Sequence, residues 1–295
     1  MRQSTVDLIG TTGLDPAYVE ALVASTLAED LAGGADVTSL ATIAAGATDT
    51  GELIARADGV LAGLPVAAAV FDLAGDGRIE LTALAADGQR VRRGDVLATV
   101  AGPARALLTA ERSALNLLCH ASGVATATRR WADALAGTSA TVRDTRKTTP
   151  GLRALEKYAV RCGGGANHRM SLSDQALVKD NHILAAGGVV PAFEAVRAAY
   201  PGLAVEVECA APGQVAEVVK AGADLVLLDN MSTADLAESV RIARTLNPAV
   251  RLEASGNLSL DRAAEVAGTG VDYLSVGALT HSAPVLDIAL DLKAR

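Results

Sequence analysis

The stretch Leu203–Asp229, LAVEVECAAPGQVAEVVKAGADLVLLD, reads as a strand, a helix and a second strand in succession. Leu203–Cys209 is apolar and β-branched apart from two glutamates. Pro212 stands where proline suits a first helical turn, Gly222 falls at the turn out of the helix, and Leu225–Asp229 is a second apolar run ending in an acid. Similar runs lie on either side, at Ala140–Thr145, Ala176–Asp180, Val250–Ser255 and Asp272–Val276, with helical patterns between them. Six strand-and-helix units in a row predict a parallel sheet covered by helices, closed as a barrel or open and doubly wound. Polar residues favour the barrel. The strands end on their C-terminal side in charged or hydroxyl groups: Arg143 and Asp144, Lys179 and Asp180, Glu206 and Glu208, Asp229, Glu253 and Ser255, Ser275. A ring of such groups is how the mouth of an α/β barrel reads in sequence, whereas hydrophilic strand ends alone account for one or two.

Upstream the pattern changes. Short strand-like runs at Gly51–Ala57, Ile79–Ala83 and Asp95–Val100 are separated by Asp76-Gly77, Asp87-Gly88 and Arg93-Gly94 turns, which predicts a small antiparallel sheet with helices, an α+β arrangement. A helical stretch from Ala104 to Leu135, broken near Gly123, joins the halves. Leu107, Leu108, Leu115 and Leu118 form its apolar stripe, with Arg112 on the flank.

Composition narrows the function classes. The 295-residue chain is long enough to bury a core without staples, and with 50% hydrophobic residues, 20% charged residues and a net charge of −8 it is neither disordered nor a basic nucleic-acid binder. Aromatics are 2%, too few for base-stacking platforms. The longest uncharged apolar run, Gly59–Phe71, carries Pro65 and falls short of the roughly 20 residues of a membrane helix. The N-terminus lacks the apolar centre of a secretory signal, so the expectation is a cytoplasmic protein with no membrane partner. Cys119, Cys162 and Cys209 include no C-x-x-C pair, and His120, His168, His182 and His281 show no H-x-x-x-H spacing; neither predicts a zinc site.

Between Arg143 and Lys179 there are eight basic residues against three acidic ones, a local +5 inside a chain of net −8. That contrast points to an anion site. Arg153, Lys157 and Arg161 recur every four residues and read as a solvated helix face, which leaves Arg146-Lys147 at a strand end, His168-Arg169 after Gly163–Gly165, and Lys179 at the next strand end. Arginine forks match planar carboxylates and lysine is a point charge, so the mixture suits a ligand set with carboxylates and phosphates. A salt-bridge network is the competing reading, with few nearby acids to complete it. Thr148–Gly151 are expected to cap a helix whose N-terminal amides lie free beside Lys147.

Alternation in Val205-Glu206-Val207-Glu208 puts both glutamates on one strand face. With Asp229 they could hold ribose hydroxyls or hydrated Mg²⁺, or stabilise positive charge on a sugar; a solvent-exposed strand end remains equally open for Glu206. Ala254–Asn257 and Ser275–Ala278 are small-residue turns after the last two strands, where backbone amides can approach a phosphate.

These residues fall in strings that resemble the quinolinate phosphoribosyltransferase family. The strings include AEDLAGGADVTS at Ala28–Ser39, ADGVLAGL at Ala57–Leu64, ERSALN at Glu111–Asn116, SGVAT at Ser122–Thr126, TRKTTPGLR at Thr145–Arg153 and GGGANHR at Gly163–Arg169. KDNH at Lys179–His182, EVE at Glu206–Glu208, LDN at Leu228–Asn230 and EASG at Glu253–Gly256 complete the order. The chain departs from the family's pattern in the longer GGADVT segment and in Asn257, where a second glycine is common.

The resemblance implies an α/β fold: an N-terminal α/β-sandwich domain over 1–115, rejoined by a tail at about 282–295, and an α/β barrel of fewer than eight parallel strands over 116–281. It implies a pentosyltransferase that joins quinolinate to 5-phosphoribosyl 1-pyrophosphate with Mg²⁺ and releases nicotinate mononucleotide, pyrophosphate and CO₂, in de novo NAD synthesis. By the same resemblance Arg146, His168 and Arg169 hold the quinolinate carboxylates, joined by Arg112 from the second subunit of a homodimer with a shared site. Lys147 and Lys179 face the donor and the reacting ring. Glu208 and Asp229 face the ribose and the metal, through water or the bound donor; Ser255, Gly256 and Gly277 take a phosphate, with His281 nearby. A related phosphoribosyltransferase with another acceptor, and a non-catalytic anion-sensing barrel, are the alternatives.

Overall fold

The computed structural model describes residues 1–293, so the last two residues of the expected tail lie outside the described residues. Its strands, in chain order, are β1 (Thr48–Ala55), β2 (Gly59–Val60), β3 (Glu80–Ala83), β4 (Arg90–Val91), β5 (Val96–Pro103), β6 (Thr141–Arg143), β7 (Ala176–Val178), β8 (Val205–Cys209), β9 (Leu225–Asp229), β10 (Arg251–Ser255), β11 (Tyr273–Ser275) and β12 (Ile288–Leu292). Contacts divide the chain into two compact units. One comprises Met1–Arg129, Thr149–Gly164 and the chain from Ser282; the other comprises Arg130–Thr148 and Gly165–His281. Position 115/116 falls inside the helix Ala104–Ala134.

The first unit is built on an antiparallel sheet in the order β12-β1-β5-β3. The turn signals act as read: Asp76, Gly77, Gly88 and Gly94 have left-handed φ of 50°, 72°, 86° and 94°. Arg56 grips both carboxylate oxygens of Asp291 at 2.6 and 2.7 Å, which pins β12 beside β1. The long helix Ala104–Ala134 runs through Gly123 without a break. A Cβ at Gly123 would lie 2.2 Å from the Pro284 carbonyl oxygen and 2.8 Å from Val285 Cα, so the missing side chain makes room for a returning segment. Strong helix formers on both sides outweigh the cost of about 1 kcal/mol for one interior glycine.

Two further expectations are corrected in this unit. In the helix Arg153–Cys162, Leu155 through Val160 are all buried, Lys157 included, so the expected solvated face fails at Lys157, while Arg153 is half-buried and Arg161 is exposed, donating to the Thr12 carbonyl at 2.9 Å. A four-residue charge spacing marks one face, but the middle of this helix, Leu155–Val160, is packed all round. Nor do Thr148–Gly151 cap it with free amides. Gly151 takes a left-handed φ of 81°, the helix starts two residues later, and the Thr149 N–H donates to the buried Glu156 carboxylate, which also meets His120 Nε2 at 2.9 Å.

The second unit holds a six-stranded parallel sheet in the order β6-β11-β10-β9-β8-β7. From β7 to β11 each strand lies beside its neighbour in sequence, and the first, β6, lies beside the last, β11. An open doubly wound sheet does not put its first strand next to its last; this order is that of a barrel with a seam between β6 and β7. At the seam the outer edge of β6 is occupied by Ala166, whose N–H donates to Val142 O at 2.9 Å and whose O accepts from Asp144 N–H at 3.2 Å. Val205, Val207, Val226, Leu228, Leu252 and Ala254 are buried on one parity. Arg143, Glu206, Glu208, Leu227, Asp229, Glu253, Ser255 and Ser275 share the other, so the polar groups face inward. Among the described residues no helix is long and apolar enough to cross a membrane.

Candidate functional site

A cavity of about 810 Å³ opens at the C-terminal ends of the barrel strands, and Arg146, Lys147, His168, Arg169, Lys179, Glu208, Asp229, Ser255, Gly256, Gly277 and His281 all line it. Strand polarity and alternating side chains bring them there from distant parts of the chain. Arg112 is the exception: it lines a cavity of about 530 Å³ in the first unit, with Asn116, His120 and Asp287.

Three cations on the wall, Arg146, Lys147 and Arg169, have no ion pair among the described residues. Arg146 Nε is buried without a hydrogen-bond acceptor among those residues. Burial, and then the like charge of Arg146, lower the Arg169 pKa, while one Arg169 nitrogen donates to the Gln175 carbonyl at 3.0 Å. Lys147 is exposed and has no ion pair among the described residues. Its backbone is fixed: its carbonyl accepts from Thr280 Oγ1 at 2.7 Å and its N–H donates to Thr145 Oγ1 at 3.0 Å. Gly277 explains itself here, because a Cβ would lie 2.9 Å from Lys147 Cδ and 3.3 Å from the His281 ring. Arg146, Lys147 and Arg169, which have no ion pair among the described residues, are costly to crowd together unless an anionic ligand completes them.

The acids form the opposite set. Lys179 Nζ lies 3.6 Å from Glu208 Oε2. Burial raises the Glu208 pKa; Lys179 opposes this, and the negative charges of Asp229 and Asp180 add to it.

Among the cavity's wall residues, His168 belongs to a buried polar cluster that also contains Arg143, Glu206, Glu253 and Ser275. Arg143 donates to Glu253 at 2.6 Å and lies 4.4 Å from the centre of the Tyr273 ring. Ser275 Oγ donates to the other Glu253 oxygen. His168 Nε2 is 2.9 Å from Glu206 and 3.4 Å from Glu253, and Glu206 also accepts from Gln175 at 3.0 Å. Glu206 is therefore fully buried, which closes the solvent-exposed alternative. Asp144 holds the turn, accepting from the His168 N–H at 2.9 Å and from Asn167 Nδ2 at 2.5 Å.

Burial pulls the His168 pKa down, but the Glu206 and Glu253 carboxylates outweigh it and hold it up at about 9. The Arg169 N–H donates to Nδ1 at 2.7 Å, so the imidazolium forms only as that hydrogen bond gives way, and the field of the two carboxylates supplies the upward direction. Since this exceeds the ordinary 6.5, the imidazolium stabilises the folded state fully below 6.5, and that contribution is lost as pH rises through about 9. In urea denaturation, the stability advantage of the protein over His168→Gln should shrink across that window; a difference independent of pH would show that His168 carries no such charge.

Sequence reading did not assign Arg143, Glu253, Asn230 or Asn257 a part in the site. Arg143 and Glu253 are separated by 110 residues and meet only because β11 lies between β6 and β10. Their inward parity, shared with Ser255 and Ser275, was the available signal. The same convergence makes His168, Glu206 and Glu253 a possible metal-ligand triad, with atoms within 4.8 Å, that no sequence spacing displays.

Comparisons with known proteins agree with the geometry. Residues 124–291 match the model of the quinolinate phosphoribosyl transferase C-terminal domain, and residues 36–122 match that of the N-terminal domain. The carboxylating nicotinate-nucleotide pyrophosphorylase of Mycobacterium leprae is 52% identical over 267 residues, covering 90% of this chain and 94% of that one. Its Homo sapiens counterpart is 40% identical over 285 residues, covering 96% and 94%. Among solved structures, the nicotinate-nucleotide pyrophosphorylase from Francisella tularensis superposes with a TM-score of 0.89 at 38% identity, over 94% of this chain and 96% of that chain.

Proposed function

The chain belongs to the quinolinate phosphoribosyl transferase family, and on that premise we propose that its barrel cavity joins quinolinate to 5-phosphoribosyl 1-pyrophosphate with loss of CO₂. It is a pentosyltransferase of pyridine nucleotide biosynthesis. The observation that carries the reading is the composition of one wall: Arg146, Lys147, Arg169 and Lys179 in a single cavity with Glu208 and Asp229. Both substrates are polyanions and repel each other, so positive charge must be concentrated to bring them together.

In this reading the Arg146 and Arg169 guanidinium groups take the quinolinate carboxylates, Lys147 and Lys179 stand beside the donor and the ring, and His168, expected from the sequence as a carboxylate ligand, instead braces the wall, because Glu206 and Glu253 hold its Nε2 and the Arg169 N–H holds its Nδ1. The pyridine nitrogen forms a bond to the ribose C1 as the C1–oxygen bond to pyrophosphate breaks, through an oxocarbenium-like state that Glu208 and Asp229 face. The quaternised ring then accepts the electron pair of the C2–carboxylate bond as CO₂ leaves, and protonation at C2 gives nicotinate mononucleotide. The protein contributes position and electrostatics, with no covalent enzyme intermediate; a trapped glycosyl-enzyme adduct would overturn this. Ser255, Gly256 and Gly277 take the donor's phosphate, with His281 at that end.

Magnesium belongs to the same reading. The His168, Glu206 and Glu253 triad does not suit it: His168 Nε2, Glu206 Oε2 and both Glu253 oxygens are engaged with one another and with Arg143, Ser275 and Gln175, and Glu206 Oε1, buried without a hydrogen-bond partner among the described residues, is a single oxygen donor. Glu208 and Asp229 do suit it: two oxygen-donor acids on the cavity wall, too few for a full octahedral set, fit an ion that keeps its water and is shared with the donor. When bound, it would neutralise pyrophosphate charge. A cytoplasmic homodimer, with Arg112 reaching the partner's cavity, completes the proposal.

A coupled assay tests it. Quinolinate and 5-phosphoribosyl 1-pyrophosphate with Mg²⁺ should yield pyrophosphate and CO₂ in equal amounts. Donor binding without quinolinate consumption would point to another acceptor, and binding of both without pyrophosphate release to an anion sensor.

A further inference from the structure

Asn230 and Asn257 are the cavity-wall residues other than glycine with a left-handed backbone, at φ of 52° and 46°. Asn230 directly follows β9, and Asn257 stands two residues after β10. Their side chains form a line. Asn257 Nδ2 donates to Asn230 Oδ1 at 3.1 Å, and Asn230 Nδ2 donates to Asp229 Oδ2 at 2.7 Å. The polarity of the line is set at one end: an ionised carboxylate only accepts, so Asn230 must turn its NH₂ toward Asp229 and its oxygen toward Asn257, which must donate. Gly256, at φ of 88°, is the bed beneath, since a Cβ there would lie 2.2 Å from Asn230 Oδ1. The Asn230 N–H also donates to Ser255 O at 3.0 Å, joining the same two loops through the backbone. One oxygen of Asp229 is thus held by the protein, and Oδ1, with no hydrogen-bond partner among the described residues, is left for a ligand.

We propose that Asn230 and Asn257 are positioning residues: their amide line aims Asp229 at the ribose hydroxyls of 5-phosphoribosyl 1-pyrophosphate and ties it to the Ser255–Gly256 turn that takes the phosphate. The proposal rests on the functional reading above and adds residues to it. Sparsely populated backbone conformations persist where the surroundings enforce them, commonly at ligand sites, and asparagine is among the side chains that enter the left-handed region most readily. Because the line runs from the ribose-facing acid to the phosphate turn, it senses the donor and not quinolinate.

Calorimetric titration of 5-phosphoribosyl 1-pyrophosphate with Mg²⁺, and separately of quinolinate, into the protein, Asn257→Gly and Asn257→Asp provides the test. Glycine adopts the left-handed turn freely, so Asn257→Gly keeps the backbone and should weaken donor binding about three- to tenfold, the worth of one hydrogen bond, with quinolinate changed by less than about twofold. Asn257→Asp presents an acceptor to an acceptor; Asn230 must then flip and turn its oxygen on Asp229, which should weaken the donor further. A purely structural role would lower Tm without separating the two ligands. Unchanged donor Kd in both variants, or equal weakening of both ligands, overturns the proposal. If the unmodified protein binds the donor but releases no pyrophosphate, the functional reading fails while the donor series still decides the asparagines. If it binds no donor, both fail.

Discussion

Lys147→Ala is expected to lower kcat by about 10²–10³-fold, the range for removing one preorganised donor aimed at charge that develops in a transition state, while the protein stays folded. Lys147 is exposed and has no ion pair among the described residues, so its ammonium supports no other part of the fold. Truncation there should change stability by about 0.5 kcal/mol or less. The stem, however, is threaded past Gly277, and its backbone is held at both ends by Thr145 and Thr280. A side chain so held and otherwise unpaired is suited to meet charge that develops on the leaving pyrophosphate. Lys179 differs, because Glu208 already stands 3.6 Å away and screens it; Lys179→Ala should therefore cost less. Steady-state kinetics with thermal denaturation as the control separates these effects. Near-normal turnover from folded Lys147→Ala would remove this residue from the mechanism.

Much of this site was legible because a barrel strand is a simple code. Alternation assigns faces, the polar end marks the mouth, and the six strand runs read from sequence fall on β6–β11 within a few residues. What stayed hidden had tertiary causes. Gly123 looks like a break because glycine is a poor helix former, but its reason is the approach of Pro284, far along the chain. Lys157 looks solvated because a charge spacing reports one face, whereas the helix around it is buried on all sides. Arg143 and Glu253 carry no mutual signal in sequence, since β11 separates their strands. The asparagine line needs two left-handed residues on adjacent loops, and no periodicity records that. The pattern of errors is physical: periodicity sees local faces, and each miss depends on what those faces meet.

The other large effect concerns Arg112, which lies outside the barrel cavity and beside a cavity of its own unit. If it completes a partner's site, Arg112→Ala homodimers and Lys147→Ala homodimers should both be severely impaired, each lacking one charge in both sites. A mixed dimer behaves differently. One of its sites combines the Lys147→Ala cavity with the Arg112→Ala flank and lacks both charges; the other combines an intact cavity with an intact Arg112. Symmetry then leaves one complete site per heterodimer, and turnover should recover to about half that of the unmodified dimer. Differently tagged chains, co-expressed and purified through both tags, give the heterodimer directly, and pyrophosphate release reads the result. No chain-internal role for Arg112 produces recovery, because each chain would still carry its own defect. Absence of recovery in verified heterodimers would therefore assign Arg112 to its own chain and leave the cavity's carboxylate recognition to Arg146 and Arg169.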